Sequence, residues 1–452
     1  MRSTFVRRLR GSELGGLAGD SVYVALWQGA VSAADLVQIA VITRALGIAE
    51  YGKLVLVVAF VALVGQLFDV RIGAAATTFG ARRLAHSVRA AAGVFQLTYV
   101  VDLVTGVVGF TVVALLAPLV GPRLIGDGGT ALILLYALTI LASTVDESSL
   151  TVLRLLDRFR LLAGVTIALE TVRIALLVGA VTQFGTLTAA IVALLLYDCL
   201  AAVVTGVLAA VVFRRASGGT PLTRPALATV REDRRAMLSM MVHTNVLSYA
   251  RLAQTQVPTI FLGAVVGVAQ VGVYKIGMAA SAIIAGVAHP PYAALLPRLA
   301  RLWGMGRTKQ VRRLIRHSTM ISVPVFTLLL IAVVVLRDPI LGLLAGPEVV
   351  VGAAAVLVIA SLGQAVNGAL FWNMGVLFMA ARSRAVSQIA LMGLVVQVAL
   401  LFPLVLYLDA IGAAIAFTVS MLATNLVAGW LAVRALRGSS ATLINRPPVP
   451  QG

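Results

Sequence analysis

The sequence predicts an all-α, polytopic membrane protein, because the chain is strongly apolar, poor in charge and divided into long hydrophobic runs. Hydrophobic residues make up 60% of its 452 residues and charged residues only 12%, and the mean hydropathy is +1.01. This composition excludes an ordinary soluble globular protein. One helical crossing of a bilayer needs about 20 apolar residues. The apolar runs have that length, and the segments between them are too short for a large soluble domain.

The runs predict about 12 transmembrane helices, six on either side of a central polar segment. That segment, residues 214–235, is charged and contains glycine and proline. We expect a six-helix N-terminal lobe at 1–213, a cytoplasmic linker at 214–235, a six-helix C-terminal lobe at 236–436 and a cytoplasmic tail at 437–452. The predicted spans lie near Ser21–Ile42, Leu54–Val70, Gly93–Val120, Thr130–Leu150, Leu161–Val181, Leu187–Phe213, Ala236–Leu262, Val271–Ala294, Ser318–Leu336, Val349–Ala380, Ala385–Tyr407 and Ile411–Val433.

Similar short segments flank the second span of each half, which predicts pseudo-two-fold symmetry between the lobes. Leu46–Gly47 precedes one of these spans and Arg83–Ala85 follows it. In the second half, Leu262–Gly263 and Arg298–Ala300 take the same places. Because each half has an even number of spans, the repeat is expected to be parallel, with its axis along the membrane normal.

Membrane topology explains most of the net charge of +19. If the N-terminus is cytoplasmic, the segments on the inner side hold 29 of the 36 lysines and arginines, as the positive-inside rule requires. An even number of spans then places both termini in the cytoplasm. The basic composition therefore gives no support to nucleic acid as a partner, and we expect membrane lipids to contact these residues instead.

Ionisable residues inside the predicted spans are candidate functional residues, because a charge at membrane depth costs about 2.5–3.5 kcal/mol. Asp35 has no basic residue near it in its own span, so it needs another helix, water or a proton. Glu170 and Arg173 stand three residues apart and either neutralise each other or face a cavity. Asp69 lies at a membrane boundary, where it either reaches the surface or faces the same cavity.

Two basic residues are the strongest candidates for binding an anion. Arg251 lies near the middle of the seventh predicted span, with no acidic residue within one turn on either side. A guanidinium group stays protonated and binds phosphate oxygens through two parallel hydrogen bonds. Lys275 lies near the outer end of span eight and provides either a second positive charge or a snorkelling anchor. The pair predicts a cationic cavity.

Three motifs resemble those of a known family: TRALG at residues 43–47, EYG at 50–52 and LLPRLARL at 295–302. The chain is similar there to the polysaccharide-biosynthesis flippases (O-antigen and oligosaccharide-lipid) of the multidrug/oligosaccharidyl-lipid/polysaccharide exporter superfamily. The resemblance implies a two-lobed carrier in a bacterial plasma membrane. Its implied cargo is a polyprenyl-diphosphate-linked oligosaccharide, moved from the cytoplasmic to the outer leaflet by alternating access through a central cavity.

Two other functions stay open at this point. A cation-coupled multidrug exporter of the same superfamily would have an acidic or apolar cavity; Asp35 favours it, whereas Arg251 and Lys275 oppose it. A membrane-bound glycosyltransferase or acyltransferase would need a carboxylate or histidine site at a membrane face. The lone Cys199 and the scattered histidines predict neither a metal site nor a cofactor, and we expect no enzyme. Glycan-assembly enzymes are further candidate partners.

Overall fold

The protein is helical throughout the part of the chain that its structure, a computed structural model, describes. Within that part there is no β-strand, which confirms the predicted all-α class. The chain divides into two compact units, residues 1–249 and 250–452. The described residues are 26, 28–68, 73–84, 88–219, 222, 234–380 and 382–442.

The first unit is built from seven helices and the beginning of an eighth, which carries the boundary between the units. Most are long enough to cross a bilayer, since a helix rises 1.5 Å per residue. In chain order they are α1 (Gln28–Leu46), α2 (Ile48–Phe68), α3 (Gly73–Leu84), α4 (Val88–Leu124), α5 (Gly129–Leu155), α6 (Phe159–Phe184), α7 (Leu187–Ala216) and α8 (Arg234–Val265).

The second unit combines long helices with two short ones. In chain order its helices after α8 are α9 (Val268–Gly304), α10 (Thr308–Val335), α11 (Arg337–Ala345), α12 (Pro347–Ala369), α13 (Asn373–Met379) and α14 (Ser383–Thr442). The sequence pattern assigned the segment of the short helix α11 to a loop and that of the short helix α13 to the end of a span.

Each predicted span overlaps helical residues in the part of the chain that the structure describes. Ten helices within the described residues are long and apolar enough to cross a membrane, and one of these stretches, Arg384–Leu436, is 53 residues long. It contains a non-helical residue, Asp409, with φ 49° and ψ −128°. The break separates the two spans predicted to end at Tyr407 and to begin at Ile411. The fold is therefore a polytopic helical membrane protein, as predicted.

One predicted span, Val349–Ala380, is not continuous. Helix α12 ends at Ala369, and α13 begins only at Asn373. Two side chains of α10 stabilise the interruption: the Ser322 hydroxyl donates to the carbonyl oxygen of Ala369 over 2.7 Å, and the Trp372 indole donates to the Thr319 hydroxyl over 2.9 Å. Backbone groups freed at membrane depth need such partners. The apolar pattern alone did not indicate the break.

The first unit packs around α5, which contacts α4 on one side and α7 on the other. Phe95 and Phe213 are fully buried there, with ring centroids 5.9 Å apart in an edge-to-face arrangement. Small residues allow close approach elsewhere: a Cβ atom on Gly109 would lie 3.3 Å from the carbonyl oxygen of Gly65. The helices that carry the polar residues of this unit are thus held at fixed distances.

In the second unit α9 and α12 cross closely at Gly277. A Cβ atom added there would lie 2.6 Å from the Val356 side chain and 3.0 Å from the Leu357 backbone nitrogen. Tyr274, one turn earlier on α9, is almost fully buried. The absence of a side chain at Gly277 therefore allows α9 and α12 to approach this closely.

We expect Gly277→Val to destabilise the second unit, since overpacking a membrane or soluble core costs about 1–3 kcal/mol. Gly286→Val on the same helix is the matched control, because a Cβ atom there meets nothing within 4 Å. Thermal unfolding of both purified variants in one detergent measures the difference. A melting temperature about 5 °C lower for the first variant alone is expected; equal melting temperatures would contradict the close crossing.

Candidate functional site

An ion-pair cluster in the first unit joins α1, α6 and α7. The Arg173 Nη2 atom donates to Asp35 Oδ1 over 2.8 Å, and Arg173 Nε lies 2.8 Å from Glu170 Oε2. Tyr197 donates its hydroxyl to Glu170 Oε1 over 3.0 Å. The Arg173 guanidinium also lies 5.7 Å from the centroid of the Tyr197 ring, within the range of a cation–π contact.

The two acidic partners of Arg173 differ in their surroundings. The Asp35 side chain is 56% exposed, whereas that of Glu170 is only 8% exposed. The close approach of Arg173 Nε to Glu170 Oε2 lacks hydrogen-bond alignment, and both atoms are buried. Glu170 is thus held by charge and by the Tyr197 hydroxyl, while Asp35 closes the cluster from α1.

The cluster answers two questions raised by the sequence. Glu170 and Arg173 form the expected pair within one helix, and Asp35 finds its partner on another helix. Tyr197 was missed, although a Tyr197–Asp198 pair in an otherwise apolar run was a detectable signal. Because a buried charge needs a partner, a polar residue in the next apolar run, such as Tyr197, was a candidate partner for Glu170.

A polar cavity of about 250 Å³ lies between α2, α4 and α5 of the first unit. The Ser148 hydroxyl donates to Asp102 Oδ2 over 2.5 Å and so links α4 to α5 near it. The described residues that line it include two carboxylates but neither lysine nor arginine. Its polar lining consists of Gln66, Asp102, Tyr136, Thr139, Ser143, Thr144 and Glu147.

Arg251 and Lys275 have no such partners. Arg251 is exposed on α8, and Lys275 is half-buried on α9. Within the part of the chain that the structure describes, neither forms a hydrogen bond or an ion pair. This agrees with the expectation that no acidic residue near Arg251 in its helix neutralises it. The structure does not bring Arg251 or Lys275 into the Arg173 cluster.

The composition of the second unit explains why these cations stay unpaired there. Residues 250–452 contain 15 lysines and arginines but only three acidic residues, Asp338, Glu348 and Asp409. All three lie at or beside helix ends or breaks, and Asp338 already contacts Arg337 at 3.4 Å. By contrast, the helices of the first unit carry six carboxylates well inside their ends: Asp35, Asp102, Asp146, Glu147, Glu170 and Asp198.

One predicted site residue, Asp69, lies outside the described residues. Its predicted role therefore stays a prediction. Asp146, another carboxylate of the first unit, accepts a hydrogen bond from the Thr205 hydroxyl at 2.8 Å. That contact ties α5 to α7.

Comparison with known families identifies the chain. The family model described as "Polysaccharide biosynthesis protein" matches residues 17–303, more than half of the sequence. The chain belongs to this polysaccharide biosynthesis family. A second model, MatE, matches residues 253–402. The resemblance drawn from the TRALG, EYG and LLPRLARL motifs is thereby confirmed. No protein of curated function matches the sequence significantly.

Solved structures share the fold of this polysaccharide biosynthesis family member at low sequence identity. The lipid II flippase MurJ in an inward closed conformation has a TM-score of 0.69 at 11% identity, covering 94% of each chain. An inward-facing multidrug resistance transporter of the MATE family has a TM-score of 0.68 at 14% identity, covering 90% of this chain and 95% of that one. The Vibrio cholerae MATE transporter VcmN, as a mutant, has a TM-score of 0.64 at 16% identity, covering 96% and 98%.

These neighbours, two MATE transporters and a lipid II flippase, show that the family member shares their fold. It is a multi-pass membrane protein. The shared fold does not select the cargo, because one fold hosts many functions. The cargo must be argued from charges and contacts.

The Arg173 cluster makes a stability prediction. Arg173→Gln leaves the buried Glu170 carboxylate without its cation, and breaking a buried pair from one side costs about 3–5 kcal/mol. The double variant Glu170→Gln, Arg173→Gln removes both charges and should recover most of the loss. Thermal unfolding in detergent measures both effects.

Lys53→Gln is the matched control for this cluster. Lys53 pairs with Glu50 at 2.7 Å, and both side chains are about one-third exposed, so its loss should change stability by less than about 1 kcal/mol. If Arg173→Gln lowers the melting temperature no more than Lys53→Gln does, the cluster stabilises the protein no more than a surface ion pair.

Proposed function

We propose that the protein is a flippase for a polyprenyl-diphosphate-linked oligosaccharide. It carries the glycolipid from the cytoplasmic to the outer leaflet of a bacterial plasma membrane by alternating access, with both termini in the cytoplasm. The cargo's diphosphate binds a cationic central cavity to which Arg251 and Lys275 contribute. The predicted lobes at residues 1–213 and 236–436 provide the alternating access, and glycan-assembly enzymes are functional partners.

One observation carries this proposal: the second unit retains unneutralised cations in its helices and has almost no acidic residues. A charged group at membrane depth is expensive and is retained where it has a functional partner. Arg251 and Lys275 find no such partner among the described residues. A lipid-linked diphosphate supplies the missing negative charge.

The chemistry of the two residues suits a diphosphate. A guanidinium presents a planar fork of donors that matches phosphate oxygens, and it keeps its charge at every physiological pH. An ammonium adds a compact second charge on a flexible stem. Since the prenyl tail is apolar, it stays in the hydrocarbon region while the charged head group crosses.

Arg173, Glu170 and Asp35 play a different part in this proposal. Arg173 already contacts two carboxylates, so the diphosphate competes with them for the guanidinium. The exposed Asp35 is the weaker competitor, because water screens its charge. We assign Arg173 to the substrate path as a second anion contact, with Asp35, Glu170 and Asp69 as the acids that release the substrate.

A cation-coupled multidrug exporter is the alternative, and a specific observation favours it. The first unit contains the cavity that Asp102 and Glu147 line without any basic residue, and the MatE model matches part of the second unit. A deletion strain separates the two functions. Lipid-linked glycan accumulating on the inner leaflet supports the flippase, whereas increased drug sensitivity without such accumulation supports the exporter.

The proposal predicts that Arg251→Gln abolishes glycan export while the protein still reaches the membrane. We expect export to fall at least about tenfold, because one charge-assisted phosphate contact contributes about 1.5–3 kcal/mol. Arg251→Lys keeps the charge without the planar fork and should retain part of the activity. Surface glycan in a deletion strain that carries each variant is the measurement.

Arg123→Gln is the control for expression and charge loss. Arg123 is exposed near the end of α4 and donates to the carbonyl oxygen of Leu119 over 3.1 Å, away from any candidate cavity of the described residues. Normal export by Arg251→Gln at normal membrane abundance would rule out this role for Arg251. If Arg123→Gln lowered export as much as Arg251→Gln, the effect would come from losing any positive charge and would contradict a specific role for Arg251.

A further inference from the structure

The ends of α9 and α10 form a strongly basic helical hairpin in the second unit. We call residues 298–317 the basic hairpin. Helix α9 ends at Gly304 and α10 begins at Thr308. The hairpin contains seven lysines and arginines, all exposed: Arg298, Arg301, Arg307, Lys309, Arg312, Arg313 and Arg316.

No acidic residue of the sequence offsets this charge locally. The nearest aspartates or glutamates along the chain are Asp233 and Asp338, so the 104 residues between them contain none. Seven positive charges within the 20 residues of the basic hairpin repel one another. A surface of this kind needs an anionic partner to be neutralised.

Apolar contacts and one hydrogen bond fix the position of the basic hairpin. Three of its own apolar residues, Leu299, Val311 and Ile315, are buried, and Gly306 lies in the turn between the two helices with φ 70°. Arg312 Nη2 donates to the carbonyl oxygen of Leu436 over 2.5 Å, which fixes α10 to α14. The remaining cations are therefore presented on a fixed surface, and little ordering entropy is lost when a partner binds.

The basic hairpin carries more charge than the connection that corresponds to it in the first unit. The first unit has a corresponding connection between α3 and α4, and its sequence carries only Arg82, Arg83 and Arg89 there. Most of the other segments on the inner side carry two to four basic residues, and the central polar segment at 214–235 carries six. The basic hairpin is therefore the most basic of these segments.

Three of the cations, Arg298, Arg313 and Arg316, lie at the depth of lipid head groups, and Arg301 lies just beyond it. The neighbouring predicted spans end at Ala294 and begin at Ser318. With a rise of 1.5 Å per residue, Arg298, Arg301, Arg313 and Arg316 lie within about 10 Å of those positions along their helices. The head-group layer is about 5–8 Å thick on each side of the hydrocarbon core.

We propose that the basic hairpin is a binding surface for anionic phospholipid head groups of the leaflet that it faces. Clusters of four to eight basic residues next to a transmembrane helix bind anionic lipids in this way. A soluble acidic protein fits less well, because three of the four arginines nearest the spans lie within the head-group layer. The surface is separate from Arg251 and Lys275, so the inference goes beyond the proposed transport function.

The test uses the purified full-length protein in a neutral detergent, with phosphatidylglycerol and phosphatidylcholine as probes in native mass spectrometry. We expect the wild type to bind phosphatidylglycerol at least about tenfold more tightly than phosphatidylcholine. The variant Arg298→Gln, Arg301→Gln, Arg313→Gln, Arg316→Gln should lose that preference and bind both lipids equally.

The matched control removes four arginines from the helices of the first unit: Arg82→Gln, Arg83→Gln, Arg214→Gln and Arg215→Gln. Its lipid preference should change less than about twofold. A further measurement needs no variant: raising the salt from low to high concentration should weaken phosphatidylglycerol binding to the wild type but not phosphatidylcholine binding.

Two results would overturn the inference. One is a hairpin variant that keeps the wild-type preference for phosphatidylglycerol. The other is a wild-type protein that binds both lipids equally at low salt. Circular dichroism of both quadruple variants verifies that their helical content matches the wild type, so a loss of binding is not a loss of fold.

Discussion

The cost of an uncompensated charge in hydrocarbon is the constraint that organises this protein. Its two units meet that cost differently. In the first unit Arg173 contacts Asp35 and Glu170, and Tyr197 satisfies a further carboxylate oxygen. In the second unit Arg251 and Lys275 have no acidic partner among the described residues. This difference is the basis of the proposal that an anionic ligand binds in the second unit.

The same fold can therefore serve opposite chemistries. The chain shares its architecture with a lipid II flippase and with MATE transporters at 11–16% identity. At that level the similarity shows the fold alone, so the cargo must be argued from the sign and placement of this chain's own charges. In this member of the polysaccharide biosynthesis family, residues 1–249 hold 14 of the 17 acidic residues, whereas residues 250–452 hold 15 basic residues and only three acidic ones.

Local patterns of the sequence were sufficient for the helices but not for the contacts between them. Apolar runs located the spans, including the two that meet at the break in α14 at Asp409. Spacing within one helix paired Glu170 with Arg173. The bond from Arg173 to Asp35 joins residues 138 positions apart, and the break after α12 depends on Ser322, 47 positions from Ala369. Partners that distant leave no periodic signal, so only the folded structure reveals them.

The most direct measurement reconstitutes the purified protein in vesicles with two fluorescent lipids that carry the same oligosaccharide. One is linked through a polyprenyl diphosphate and the other through an uncharged lipid. Because unpaired cations attract the phosphate groups, we expect the protein to move the diphosphate lipid between leaflets at least about tenfold faster than the neutral one. Equal rates for both lipids, or faster movement of the neutral lipid, would contradict a cationic path for this cargo.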